Sequence, residues 1–124
     1  MIRITGLLLT AGVLAAALFL GPASAMTTPK LVGTVGPGYT ITLKKGTKKV
    51  TTLKAGKYTF VITDKAAIHN FTLERQTGGK FEKVLTGASF KGKKTVTVAL
   101  KTGKWKYYCS VHESLMFGFF KVTS

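Results

Sequence analysis

An all-β fold, an antiparallel sandwich of seven or eight short strands, follows from three observations on this 124-residue sequence. Apolar residues alternate with Thr or Lys at period two in four separate stretches. Glycine-centred turns fall between them, and no window carries the 3.6-residue period of an amphipathic helix. A hydrophobic fraction of 45% is ordinary for a globular protein, so the 19 Lys+Arg against 4 Asp+Glu, a formal charge of +15, do not mark a disordered basic tail. The length suits one domain and excludes a multi-domain enzyme.

The first 25 residues stand outside that fold. Arg3 precedes Leu7, Leu8, Leu9 and the apolar run Ala11 to Leu20, and Ala23-Ser24-Ala25 supplies a small-residue cleavage site, the pattern of a secretory signal peptide. Gly21-Pro22 breaks the run, and the stretch free of polar residues and glycine is short for a bilayer, so cleavage after Ala25 is expected rather than retention as an anchor. No paired arginine and no cysteine for lipidation lie near the site. The folded domain is then 26–124, exported, with a frayed start over Met26 to Lys30.

Within it, Tyr39, Ile41, Leu43, then Tyr58, Phe60, Ile62, then Val96, Val98, Leu100, and finally Trp105, Tyr107, Cys109 mark the inward rows of strands. Turn chemistry separates them at Gly36-Pro37-Gly38, Lys54-Ala55-Gly56-Lys57, Thr77-Gly78-Gly79-Lys80, Lys91-Gly92-Lys93 and Thr102-Gly103-Lys104. Only Asp64 to Ile68 could close a helical turn. The lysines gather at turns and outward strand positions, a solvated surface.

A single cysteine excludes an internal disulfide, a four-cysteine zinc site and a CxxC redox pair. A small exported domain without disulfides makes a bound metal a candidate stabiliser. Near the C-terminus the spacing is Cys109-x2-His112-x3-Met116, and upstream His69-Asn70-Phe71 opens another strand. By strand parity His69 shares a face with Phe71 and Leu73, Cys109 with Tyr107 and Trp105, and Met116 with Gly118, Phe120 and Val122. Each is an extension of a core-facing row, so the four can converge at one end of the sandwich, with His112 on the loop between. Singly, these would read as a small buried thiol, a hydrogen-bonded core edge and a packing methionine. Jointly, thiolate, two imidazoles and a thioether are the donor set of a blue-copper centre.

From Leu31 to Thr123 the sequence resembles the cupredoxins, and among them the plastocyanin- and azurin-like electron carriers. The likeness rests on the ligand spacing, the Leu53-Lys54-Ala55-Gly56-Lys57-Tyr58-Thr59-Phe60 strand entry, the His69-Asn70 pair, the Gly103-x-Trp105-x-Tyr107-Tyr108-Cys109 run and the Met116-x-Gly118-x-Phe120-x-Val122 close. That resemblance implies a Greek-key sandwich holding one type 1 copper per chain, with His69, Cys109, His112 and Met116 as metal ligands and the Ile68 carbonyl as a distant axial contact. It also implies that Asn70 ties the first ligand loop to the second through Ser110; the plain alternative is a turn-capping asparagine. Val111 stands where plastocyanins generally have proline, the histidine-to-methionine spacing is one residue shorter, and the basic surface is opposite in sign to their acidic docking patch.

With its ligands spoken for, such a site offers no open position to a substrate, and the His-x-His pairs of multicopper oxidases are absent, so a carrier is expected and not an enzyme. The exposed edge of His112, ringed by Leu115 and Phe117, is the expected electron port. Phe117 and Phe119 can instead be half-buried strand residues. Tyr108 is outward by parity and adjoins Cys109, a second exit or a cross-strand packing residue. The positive surface calls for an acidic redox partner, with anionic lipid or wall polymer as further contacts. Nucleic acid is not expected, since the lysines lack an aromatic platform. The sequence therefore reads as a monomeric type 1 copper protein, secreted or periplasmic, carrying single electrons in the cell envelope. Its rivals are a copper carrier or buffer without electron transfer, and a lysine-rich binding module with a vestigial site.

Overall fold

The alternating stretches become strands. A computed structural model describes residues 27–124, together with Gly12, Val13, Ala16 and Ala17; the signal-peptide reading of residues 1–25 lies outside the described residues. In chain order the strands are β1 (Lys30–Val35), β2 (Ile41–Lys45), β3 (Lys48–Lys49), β4 (Thr52–Lys54), β5 (Gly56–Asp64), β6 (Phe71–Arg75), β7 (Phe81–Thr86), β8 (Gly92–Leu100), β9 (Gly103–Tyr108) and β10 (Phe117–Thr123). They form two five-stranded sheets, ordered β3-β2-β1-β5-β8 and β4-β10-β9-β6-β7, packed face to face as an all-β sandwich. Among the described residues there is no helix; Asp64 to Ile68 ends in one turn, with the His69 amide donating to the Ala66 carbonyl.

The ten strands exceed the expected seven or eight, and two of the pairs, β1 with β5 and β4 with β10, are parallel. One of the extra strands is the two-residue β3, and another arises at Lys54-Ala55-Gly56-Lys57, which divides β4 from β5. Instead of reversing, the chain continues forward and changes sheets there. Leu53 is buried on the β10 side and Tyr58 on the β1 side, while the Ala55 amide donates to the Thr123 carbonyl at 2.6 Å. The turn expected at Lys91-Gly92-Lys93 lies earlier, closed by the Phe90 amide on the Gly87 carbonyl, and Gly92 already belongs to β8. Nor is Lys30 frayed: it pairs with Thr59, whose amide also donates to the Pro29 carbonyl.

The core is built from the inward rows. Trp105, Tyr107, Phe60, Phe71 and Ile62 are essentially inaccessible. Phe71 stacks on Tyr107 at 5.8 Å, and Phe120 lies 6.3 Å from Tyr107 and 6.1 Å from Trp105. Gly118 completes this ladder by having no side chain. A Cβ there would fall on the Tyr107 ring, so β10 crosses that ring only as glycine. The aromatic stack fixes β6, β9 and β10 relative to one another, and those strands carry the loops of the site.

Candidate metal centre

Cys109 follows β9 directly and continues the row of Trp105 and Tyr107 into the interior, where it is fully buried. The chain then folds back in consecutive turns. The His112 amide donates to the Cys109 carbonyl (3.1 Å), the Leu115 and Met116 amides donate to the His112 carbonyl (3.0 and 2.9 Å), and the Cys109 amide closes the loop on the Met116 carbonyl at 3.0 Å. His112 is thereby held at the tip, half-buried, while Met116 is fully buried at the head of β10.

His69 reaches the same end from the β5–β6 connection and is 1% exposed. That connection is tied down through Asp64. Its carboxylate accepts from the Ala66 amide (3.3 Å) and from the Thr86 hydroxyl (3.2 Å), and Thr86 Oγ1 accepts in turn from the Phe71 amide (2.9 Å). Burial pushes the Asp64 carboxyl above the ordinary carboxylate range, against the opposing pull of these bonds and of nearby His69. Asn70 clamps the two ligand loops together: its Nδ2 donates to Ser110 Oγ and its Oδ1 accepts from the Ser110 amide, both at 2.7 Å. The Asn70 amide points at Cys109 Sγ, 3.4 Å away.

His69 Nδ1 and His112 Nδ1 lie 3.0 Å apart, and Cys109 Sγ lies 4.0 and 3.8 Å from them. A triangle of these edges is the size that one ion with metal–nitrogen and metal–sulfur bonds of about 2.0–2.3 Å spans. His69 Nε2 is 3.3 Å from the Pro37 carbonyl, a contact that puts the ring proton on Nε2 and turns the Nδ1 lone pair towards the sulfur. Two imidazole nitrogens and one sulfur thus converge on a single point from two loops. The donor set therefore fits a soft-to-borderline transition metal, and the Asn70 amide and Pro37 carbonyl are the outer bonds that such ligands use to hold orientation.

The residues the sequence singled out fall as follows. His69, Cys109 and His112 form the cluster. Met116 stands beside it through the Cys109 backbone, and Asn70 and Ser110 lie across the two loops. Leu115, Phe117 and Phe119 are exposed, with the two phenyl rings 5.7 Å apart. Tyr108 is covered, not an open exit. It is 5% exposed, pairs with Thr72 and Phe117 across the strands, and donates its hydroxyl to the Glu82 carboxylate at 2.8 Å. Burial first, then that bond to Glu82, pushes its phenol well up.

Tyr39 was expected in an inward strand row and is instead a loop residue, 58% exposed, because the Gly36 amide bonds the Thr40 carbonyl and delays the strand to Ile41. Its ring stands edge-on to both imidazoles, 5.7 Å from His69 and 5.0 Å from His112. Gly36 makes room for this. It has φ +70°, and a Cβ there would sit 3.0 Å from His69 Cδ2. Tyr39, Pro37, Asp64 and Thr86 were all missed as site residues, and Gly36-Pro37-Gly38 was the one visible hint of a tight loop.

No protein-family model matches the sequence, and no curated protein matches it. Solved structures do. Auracyanin A, a "blue" copper protein from the green thermophilic photosynthetic bacterium Chloroflexus aurantiacus, aligns with TM-score 0.52 at 18% identity over 76% of this chain and 98% of its own. Reduced rusticyanin aligns with TM-score 0.51 at 20% identity over 77% of each chain. A point mutant of rusticyanin, the protein of Thiobacillus ferrooxidans, gives 0.51 at 20% identity over 76% of each. The β-sandwich of the blue copper proteins is thus the fold of this chain.

Proposed function

We propose that this chain, a cupredoxin by fold, is an exported protein that holds one type 1 copper ion and carries single electrons between redox partners of the cell envelope. The observation that carries this reading is the triangle of His69 Nδ1, His112 Nδ1 and Cys109 Sγ, with edges of 3.0, 3.8 and 4.0 Å. Met116 would hold the ion as a fourth, weak thioether ligand. Copper there would supply a one-electron couple whose two oxidation states share one ligand frame.

The chain's own residues do the rest. The Asn70–Ser110 clamp and the Pro37 carbonyl hold the ligand loops, so little moves between states. The Asn70 amide, aimed at the cysteine sulfur, withdraws electron density from it and favours the reduced form. His112 is the half-exposed ligand, and Tyr39, Leu115 and Phe117 give its surroundings an apolar rim that suits brief docking. Lys104 and Lys106 on β9 attract an acidic partner. The reading is of a monomeric carrier and not an enzyme.

The test is the visible spectrum of the purified protein on adding Cu(II), followed by reversible reduction. Thiolate-to-copper charge transfer should give an intense blue or green colour that vanishes on reduction, returns on reoxidation and is abolished by Cys109→Ala. A colourless Cu(II) complex, or a colour that survives that substitution, overturns the copper reading. A coloured site that releases its copper on reduction instead of cycling would make the protein a copper carrier.

A further inference from the structure

The two faces of the sandwich differ in charge. Strand register and alternation put Lys30, Lys44, Lys49, Lys57 and Lys93 on the outer face of the β3-β2-β1-β5-β8 sheet, all of them exposed. Between them run threonines: Thr42, Thr34 and Thr63 form one cross-strand row that ends at Lys93. No acidic side chain shares this face. Of the four acids in the chain, Asp64 is buried within the sandwich, Glu74 and Glu82 belong to β6 and β7, and Glu113 to the ligand loop. The bulkiest apolar groups on the face, Val32 and Val61, are only half-buried and stand level with their neighbours.

The arrangement carries a cost. Lys44 stands directly opposite Lys49, and Lys45 opposite Lys48, and like charges so paired destabilise a sheet. Lysine on an edge strand guards against edge-to-edge pairing, but that need ends at the edge. Here Lys49 and Lys93 belong to the two edge strands, β3 and β8, but Lys44, Lys30 and Lys57 stand on the strands between them, β2, β1 and β5. The outer face of the other sheet is of another kind: Lys106 pairs with Glu113 at 2.8 Å and stands over the rings of Tyr108 and Phe117. Mixed charge with exposed aromatics suits a protein partner; uniform lysine and threonine suits a flat polyanion.

We infer that the outer face of the β3-β2-β1-β5-β8 sheet is a contact surface for an anionic lipid bilayer, on which the protein lies flat without inserting. Its lysines attract acidic headgroups, its threonine hydroxyls donate to phosphate oxygens, and it has no aromatic or leucine wedge that would enter the acyl region. In that pose the end of the sandwich bearing His112, and the face bearing Phe117 and Phe119, stay clear of the lipid. The inference rests on charge and register, independent of any metal.

Cosedimentation with vesicles tests it, comparing phosphatidylcholine alone with phosphatidylcholine and phosphatidylglycerol at roughly three to one. All chains share one N-terminal segment, so its apolar run cancels between variants. The protein should bind the anionic vesicles more tightly than the neutral ones, and that excess should shrink as salt rises. At about fivefold per surface lysine, Lys44→Gln with Lys93→Gln should lower binding about thirtyfold. Lys104→Gln with Lys106→Gln, the same charge change on the other face, should lower it by no more than about twofold. Circular dichroism checks that both variants fold. Equal losses in the two pairs, no preference for anionic vesicles, or capture of soluble polyglutamate through Lys44 and Lys93 without vesicle binding would each overturn the proposal.

Discussion

Asp64 is held by an amide and a hydroxyl, in a place where burial opposes its charge. Because its carboxyl is raised in the folded chain, the native state keeps a proton that the unfolded chain has already lost above the ordinary value of 3.8. Its contribution to stability is therefore full below that value and is lost as pH rises through the folded pKa. Without metal, the native chain should lose urea resistance relative to Asp64→Asn as the pH is raised from acid towards neutral. Paired unfolding midpoints measure this; a difference that stays flat with pH would show the carboxyl to be unshifted, and a native advantage that grows with pH would show it to be lowered. The same residue anchors the loop of His69, so the connection is built from a group that prefers acid. Neither Asp64 nor Thr86 could be picked out in the sequence. They stand 22 positions apart, and each alone is an unremarked polar residue in an apolar stretch.

Among the elements, β10 passes over Tyr107 only because Gly118 lacks a side chain. Gly118→Ala should cost about 1–3 kcal/mol, the range for overpacking a filled core. In a Tyr107→Leu background the same change should cost markedly less. Equal costs in the two backgrounds, read from urea unfolding, would mean the ring is not what the glycine accommodates. This strand was legible beforehand, as were β5, β8 and β9, because strict alternation over half-buried strands leaves a clear period. β1 was hidden by Gly33 in its inward row, and β7 by the register shift between Phe71 and Thr72 of its neighbour and by the exposed Val84. Cys109, His112 and Met116 could be grouped from sequence because one short loop carries them, and His69 because parity aimed it at the core. Tyr39 and Pro37 could not, since only the folded chain brings the first loop onto the imidazoles.

At the scale of the whole molecule, the charge asymmetry and the ligand end divide the surface into distinct regions, and the sandwich holds those regions in fixed relation. The chain passes between the sheets five times among the described residues, including at Ala55, between β4 and β5, and at Thr102, between β8 and β9, where the Arg75 guanidinium bonds the Thr102 carbonyl. At the Ala55 crossing both halves of one extended segment are stitched in, the Lys121 amide donating to the Thr51 carbonyl and the Ala55 amide to the Thr123 carbonyl, while β4 pairs with β10 and β5 with β1. Each sheet holds one end of the same segment, so the two are expected to unfold together. Amide hydrogen exchange should then show β5 and β10 opening together at one free energy, with no partly unfolded form in which the Trp105 side of the sandwich survives alone. Slow exchange confined to one sheet would contradict this. A protein that opens only as a whole presents its cysteine to solvent only when it is globally unfolded, so the rate at which a thiol reagent reaches Cys109 in the metal-free chain becomes a direct clock for unfolding.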